Sequence, residues 1–77
     1  MIAFIVTVRG FEDESVICHE SRPKAQYRVW AALRDIGYHH MFGDIRLKRA
    51  PEYDEWAARQ GRPCHVSAEF VEKVCVS

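Results

Sequence analysis

Cysteine and histidine occur in pairs at several points of the chain, and these are the side chains that zinc prefers. The positions are Cys18-His19, His39-His40, Cys64-His65 and Cys75. No C-x-x-C or H-x-x-x-H spacing is present, so a metal site would need distant segments to converge. Neighbouring residues in a strand point to opposite faces, and each pair therefore supplies one ligand at most. The pattern favours a buried cysteine beside an exposed histidine and predicts no metal cofactor. A zinc-stabilised structural module is an alternative.

Other catalytic patterns are equally weak. A cysteine nucleophile needs a positioned base and a cleft. A chain of 77 residues has few residues with which to line a cleft. Six of the eleven carboxylates cluster in two groups, in residues 12–14 and 52–55. Loop solvation explains the first group and the helix dipole the second. The four glycines are isolated and form no phosphate-binding loop. We therefore expect a protein that is not an enzyme.

Basic residues concentrate in the middle of the chain, although the whole sequence has a net charge of zero. Residues 22–49 hold seven Lys and Arg against two acidic residues. The neutral total argues against general coating of nucleic acid, but a locally basic region still allows a specific electrostatic contact. Some of these basic residues belong to a predicted helix and the others to a predicted strand. They therefore form two separate basic strips and not one continuous binding surface.

Two aromatic residues complete the candidate binding set. Tyr27 and Trp30 lie at or beyond the edge of the predicted buried stripe of a helix, beside arginines, as interface anchors commonly do. The residues that we predict to bind a partner are Arg46, Lys48, Arg49, Tyr27, Trp30 and Arg34. A solvated surface explains the charges equally well, and Trp30 folded onto the sheet edge is the alternative for that residue.

The elements that position these residues follow from the hydrophobic period. Residues 2–9 and 15–20 alternate as two short strands, and residues 44–49 alternate as a third. Between them, a helix is predicted over about residues 22–36, with Ser21 as its N-cap and Gly37 after its end. Its buried stripe is predicted to hold Ala25, Val29, Ala32, Leu33 and Ile36.

Pro51 is predicted to open a second short helix, which Gly61 ends. The inner side of that helix is predicted to carry Tyr53, Trp56 and Ala57. The tail, residues 62–77, fits either a helical turn or an edge strand.

The order β-β-α-β-α predicts one α+β domain over residues 1–77, with a three-stranded antiparallel sheet of order 2-1-3. The main helix is expected to cover the face with Phe4, Val6 and Val8. The opposite face, with Arg46 and Lys48, is expected to be only half covered unless the second helix or the tail packs on it. A half-covered face carrying Ile5 and Ile17 would favour a homodimer.

The composition indicates the class of protein and the cellular compartment in which we expect it. With 48% hydrophobic and 29% charged residues the chain is globular. Three cysteines, an odd number, fit a reducing compartment better than a disulfide scaffold. The apolar run over residues 1–6 is too short to span a membrane. We therefore expect a cytoplasmic protein with no membrane contact.

A resemblance appears at SRPKAQYRVW, residues 21–30, and FGDIRLKRAPEYD, residues 42–54. A Ser-Arg-x-Lys-Ala start, an aromatic-rich helix and Asp-Ile-Arg-x-x-Arg before a proline resemble small phage- and prophage-encoded proteins, over about residues 2–56. Small single-domain phage proteins include the anti-CRISPR proteins. The resemblance implies docking on a host surveillance complex, which would prevent DNA capture.

The leading hypothesis is therefore a phage-encoded inhibitor of a host protein or nucleoprotein complex, such as a Cascade-type CRISPR effector. A neutral chain fits occlusion better than mimicry of DNA, which would need strong acidity. The alternative is a small nucleic-acid-binding regulator, although direct nucleic-acid binding is the weaker expectation.

Overall fold

The computed structural model describes residues 1–37 and 41–76 and confirms the predicted α+β fold. The elements are β1 (Ile2–Val8), β2 (Glu14–His19), α1 (Arg22–Arg34), β3 (Ile45–Arg49), α2 (Asp54–Gln60) and α3 (Ala68–Val76). Short 3₁₀ turns at Phe42–Asp44 and Pro51–Tyr53 precede β3 and α2. Within the tail, whose sequence fitted either a helical turn or an edge strand, Ala68–Val76 forms a third helix. Among the described residues, no helix has the length and apolar character needed to cross a membrane.

The sheet has the predicted order, with β1 in the centre and antiparallel to both neighbours. Phe4 lies opposite Ile17 of β2, and Val6 lies opposite Leu47 of β3. Residues that pair across antiparallel strands share a face. Ile17 therefore lies under α1 and is only 2% exposed, so its predicted place on the half-covered face beside Ile5 is wrong.

Helix α1 begins where the sequence predicts and ends earlier. The Ser21 hydroxyl accepts a hydrogen bond from the Lys24 amide at 3.5 Å, as an N-cap does. The helix ends at Arg34, after which the chain turns. Ile36 lies in that turn and is 52% exposed, so its predicted place in the buried stripe is wrong.

The main hydrophobic core lies between the sheet and two helices. From α1 it takes Ala25, Val29 and Leu33, which are spaced by four residues and share one face. From α3 it takes Phe70 and Val74, each 3% exposed and again four residues apart. These side chains pack on Phe4, Val6, Val8, Ile17 and Ile45.

Helix α2 covers one end of the opposite sheet face. Its Ala57 packs with Ala3, Cys18 and Ala50 in a second cluster whose four members are all fully buried. Small side chains on both sides let the helix approach the sheet closely. Tyr53, predicted to be on the inner side of this helix, is 41% exposed. It belongs to the preceding 3₁₀ turn, whose tighter winding rotates it out of the stripe.

The outer edge of β3 is covered by side chains of α1. The Arg22 guanidinium donates a hydrogen bond to the Leu47 carbonyl, and the Gln26 amide donates to the Ile45 carbonyl. An edge strand with free carbonyls is a template for pairing with another chain. These two bonds occupy the Ile45 and Leu47 carbonyls on that edge and attach the helix to the strand.

Candidate functional site

Three aromatic rings and one arginine form an exposed surface beside α1, which we call the aromatic surface: Tyr27, Trp30, Phe42 and Arg34. The Trp30 ring lies 6.1 Å from that of Tyr27 and 5.9 Å from that of Phe42, between ring centroids. The Arg34 guanidinium lies 5.1 Å from the Trp30 ring centroid, within range of a cation–π contact. Tyr27 is 62% exposed and Phe42 is 44% exposed.

The fold holds this surface in place. Trp30 packs on the main core, which fixes the central ring. Gln26, one turn earlier on α1, donates a hydrogen bond to the Phe42 carbonyl at 3.1 Å and so ties the 3₁₀ turn to the helix. Within that turn the Asp44 amide donates to the Met41 carbonyl at 3.0 Å. The rings are therefore arranged before any partner arrives, which lowers the entropy cost of binding.

No family model, no curated protein and no solved structure matches this chain. The role of the aromatic surface is therefore inferred from the types of residue that form it. Aromatic side chains and arginine are the residues most enriched at protein interfaces and among their energetic hot spots. The combination on the aromatic surface is of this kind.

The structure separates the predicted site residues into three groups. Tyr27, Trp30 and Arg34 come together in the aromatic surface. Arg46 and Lys48 are exposed on the sheet face opposite α1, where they pair with Thr7 and Ile5 of β1. The aromatic surface and the pair Arg46 and Lys48 are thus on different sides of the sheet, as the prediction of two strips implies.

Arg49 has a different environment from the other predicted bases. Its guanidinium makes two contacts with the Asp54 carboxylate, at 2.6 and 2.5 Å, and donates to the Ala3 carbonyl at 3.1 Å. The ion pair lowers the pKa of Asp54 below its usual value. Because the Asp54 carboxylate also accepts from the Ala3 amide at 3.3 Å, the pair joins the start of α2 to β1 and β3. Arg49 therefore has a structural role in this fold.

A groove of about 650 Å³ adjoins the other side of Tyr27, at the start of α1. Its lining includes His19, Lys24, Arg28 and Pro63. His19 is 7% exposed, and its Nδ1 accepts a hydrogen bond from the Glu20 amide at 2.8 Å. Burial, helped by the charges of Arg28 and Lys24 and opposed by that of Glu20, lowers the pKa of His19. The neutral imidazole is thus the form that the fold accommodates.

This environment predicts a loss of stability in mild acid. A histidine whose pKa is lowered by folding takes up its proton more readily in the unfolded chain. Stability is therefore complete above the unfolded pKa of about 6.5 and falls as the pH drops below it. We expect the urea midpoint to decrease between pH 7 and pH 5. His19→Gln should flatten this dependence, whereas His65→Gln, at an exposed position, should keep it. An equal slope in His19→Gln would show that another group is responsible.

The Cys and His side chains that would be zinc ligands under the alternative hypothesis are not gathered into one group within the described residues. In residues 1–37 and 41–76, no group of three or more His, Cys, Asp and Glu side chains is placed to hold a metal ion. His39 and His40 lie outside the described residues. Cys18 and Cys64 nevertheless come together, with their sulfur atoms 2.8 Å apart. The third cysteine, Cys75, packs against the main hydrophobic core, and its thiol donates to the Leu33 carbonyl at 3.7 Å.

Sequence patterns missed Phe42 as a member of the aromatic surface. Residues 38–43 have the composition of a loop, and a loop has no period from which a face can be assigned. A signal was present in the two adjacent apolar residues, Met41 and Phe42, before a glycine. Met41 is 77% exposed, which extends the apolar surface next to Phe42.

Proposed function

We propose that this protein is a phage-encoded inhibitor that acts in the cytoplasm of the host cell by docking on a host protein or nucleoprotein complex. The aromatic surface makes the contact, and the bound domain blocks the partner's own site by occlusion. The specific target that we propose is a Cascade-type CRISPR effector. The observation that carries the binding role is the exposed, preorganised arrangement of Tyr27, Trp30 and Phe42 with Arg34 on the indole.

Burial explains only part of this arrangement. Trp30 is half-buried and packs on the core, but Tyr27 lies beyond it with most of its surface in water. Burying an aromatic side chain removes roughly 150–250 Å² from water. A partner that covers Tyr27 and Phe42 would therefore gain apolar contact at little cost in ordering, because the rings already contact Trp30.

A protein surface suits the aromatic surface better than bare nucleic acid. Affinity for nucleic acid comes largely from phosphate contacts with several bases on one face. Of the predicted bases, Arg34 lies in the aromatic surface, while Arg46 and Lys48 are on the opposite side of the sheet. One duplex or strand cannot contact both groups without wrapping around the domain.

Substitution of Tyr27 tests the binding role with little risk to folding. We expect Tyr27→Ala to weaken partner binding by about tenfold or more, as for a hot-spot side chain. Tyr53→Ala is the matched control, since Tyr53 is also an exposed tyrosine but lies in the 3₁₀ turn before α2. The measurement is retention of host proteins from a bacterial lysate on each immobilised variant. Equal retention by wild type and Tyr27→Ala contradicts the proposed surface.

A second experiment tests the target. We expect the wild-type protein to reduce DNA binding by a crRNA-loaded Cascade-type effector, and Tyr27→Ala to reduce it less. Unchanged DNA binding with the wild-type protein excludes this target while leaving the lysate result to identify another. Tight binding of single-stranded DNA or RNA that weakens steeply with salt would instead favour the nucleic-acid-binding alternative.

A further inference from the structure

Cys18 and Cys64 form a close dithiol between β2 and the segment that links α2 to α3. Their sulfur atoms are 2.8 Å apart, about 0.75 Å more than the length of a disulfide bond. The Cys64 amide also donates to the Cys18 carbonyl at 2.9 Å, so the two backbones are already adjacent. Both thiols lie near the Arg62 carbonyl, at 3.4 Å from Cys18 and 3.9 Å from Cys64.

We propose that this dithiol is an oxidation site, which a small-molecule disulfide such as oxidised glutathione converts to a Cys18–Cys64 disulfide. The bond would join residues 46 positions apart. It would link β2 directly to the segment beyond α2 and enclose α1, β3 and α2 in a covalent loop. The site is independent of the aromatic surface.

The different exposure of the two thiols sets the order of the steps. Cys18 is fully buried beneath α2, whereas Cys64 is partly exposed. The oxidant therefore meets Cys64 first. The Cys64 sulfur, as thiolate, attacks one sulfur of the small disulfide, whose S–S bond breaks and releases one thiolate that takes up the proton lost by Cys64.

The Cys18 sulfur then attacks Cys64 in this mixed disulfide. The second small thiolate leaves with the proton of Cys18, and the protein disulfide remains. Two protein thiols are oxidised, and one small disulfide is reduced to two thiols. Burial and the contact with Cys64 raise the pKa of the Cys18 thiol to about 11. Cys18 is therefore a poor first nucleophile at neutral pH, which agrees with this order.

The third cysteine provides an internal comparison. Cys75 packs against the main core, on the α1 side of the sheet, while Cys18 is buried in the cluster beneath α2 and Cys64 packs against that cluster. The folded sheet therefore lies between Cys75 and Cys18, and Cys64 already contacts Cys18. In an unfolded chain no such separation exists, and all three pairings are open.

Oxidation of the folded protein tests the proposal. The reduced full chain is incubated with oxidised glutathione, alkylated after unfolding, and mapped by mass spectrometry. We expect a mass loss of two hydrogen atoms, a single Cys18–Cys64 link and an alkylated Cys75. Cys75→Ser should form the same link, and Cys64→Ala should form none while keeping its circular dichroism spectrum. The same oxidation in urea should give mixed pairings.

Two results of the mass mapping would overturn the proposal. One is a link that involves Cys75 in the folded protein. The other is a lasting glutathione adduct on Cys64 while Cys18 still reacts with the alkylating reagent. We also expect the oxidised protein to melt at least about 5 °C higher than the reduced one, because a closed loop restricts the unfolded chain. An oxidised protein that melts lower would show that the bond strains the fold, against the proposed geometry.

Discussion

Leu33→Ala is expected to lower the free energy of unfolding by about 2–5 kcal/mol. Leu33 is fully buried in the main core, where the last turn of α1 meets the sheet and α3. Removing its isopropyl group leaves a cavity that rigid strands cannot fill. A domain of this length has a total stability of roughly 4–12 kcal/mol, so the loss removes a large part of it. The urea midpoint and the melting temperature measure the effect.

Ile36→Ala is the matched control for this substitution. Both residues are apolar and lie near the end of α1, but Ile36 is 52% exposed. We expect a change within about 0.5 kcal/mol, as for most surface positions. If Ile36→Ala cost as much as Leu33→Ala, the helical stripe would extend beyond Arg34 and the observed end of α1 would be wrong.

Ala57→Leu is expected to destabilise the fold by about 1–3 kcal/mol or more through overpacking. Ala57 is fully buried against Ala3, Cys18 and Ala50, and these small side chains leave no room for three further carbon atoms. Helix α2 would have to move away from the sheet. We therefore expect a lower urea midpoint and faster reaction of Cys18 with a thiol reagent.

The neighbouring position again provides a control. Ala58 is exposed on the same helix, and leucine is nearly as good a helix former as alanine. Ala58→Leu should leave the urea midpoint and the reactivity of Cys18 almost unchanged. Equal effects of the two substitutions would mean that α2 does not dock through its small face.

The fold was largely predictable because its elements have clear periods. Alternation marked β1 and β3, and spacing by four residues marked α1 with Ala25, Val29 and Leu33 in its core face. The helical wheel failed at Ile36 and Tyr53, because it continues beyond the point at which the chain leaves α-helical geometry. The tail was ambiguous because Phe70, Val71 and Val74 suit a helical turn, while residues 71–77 also alternate like an edge strand. Packing of Phe70 and Val74 against the core selects the helix.

The candidate site was less predictable, because it depends on contacts between distant segments. Tyr27, Trp30 and Arg34 share one helix, and their spacing alone indicated them. Phe42 joins them through a hydrogen bond from Gln26 across a loop, which no local pattern encodes. The ion pair of Arg49 with Asp54 depends on the docking of α2. In sequence, Arg49 was indistinguishable from Arg46 and Lys48.

The sheet order has a consequence for synthesis on the ribosome. The central strand β1 leaves the ribosome first, and β2 follows after a short turn, so a hairpin can form early. The second partner, β3, arrives only after α1 has been made. Until then one side of β1 has free backbone groups, and an unpaired edge attracts other strands. The species most exposed to aggregation is thus the nascent hairpin, whereas in the finished domain Arg22 and Gln26 cover the outer edge of β3.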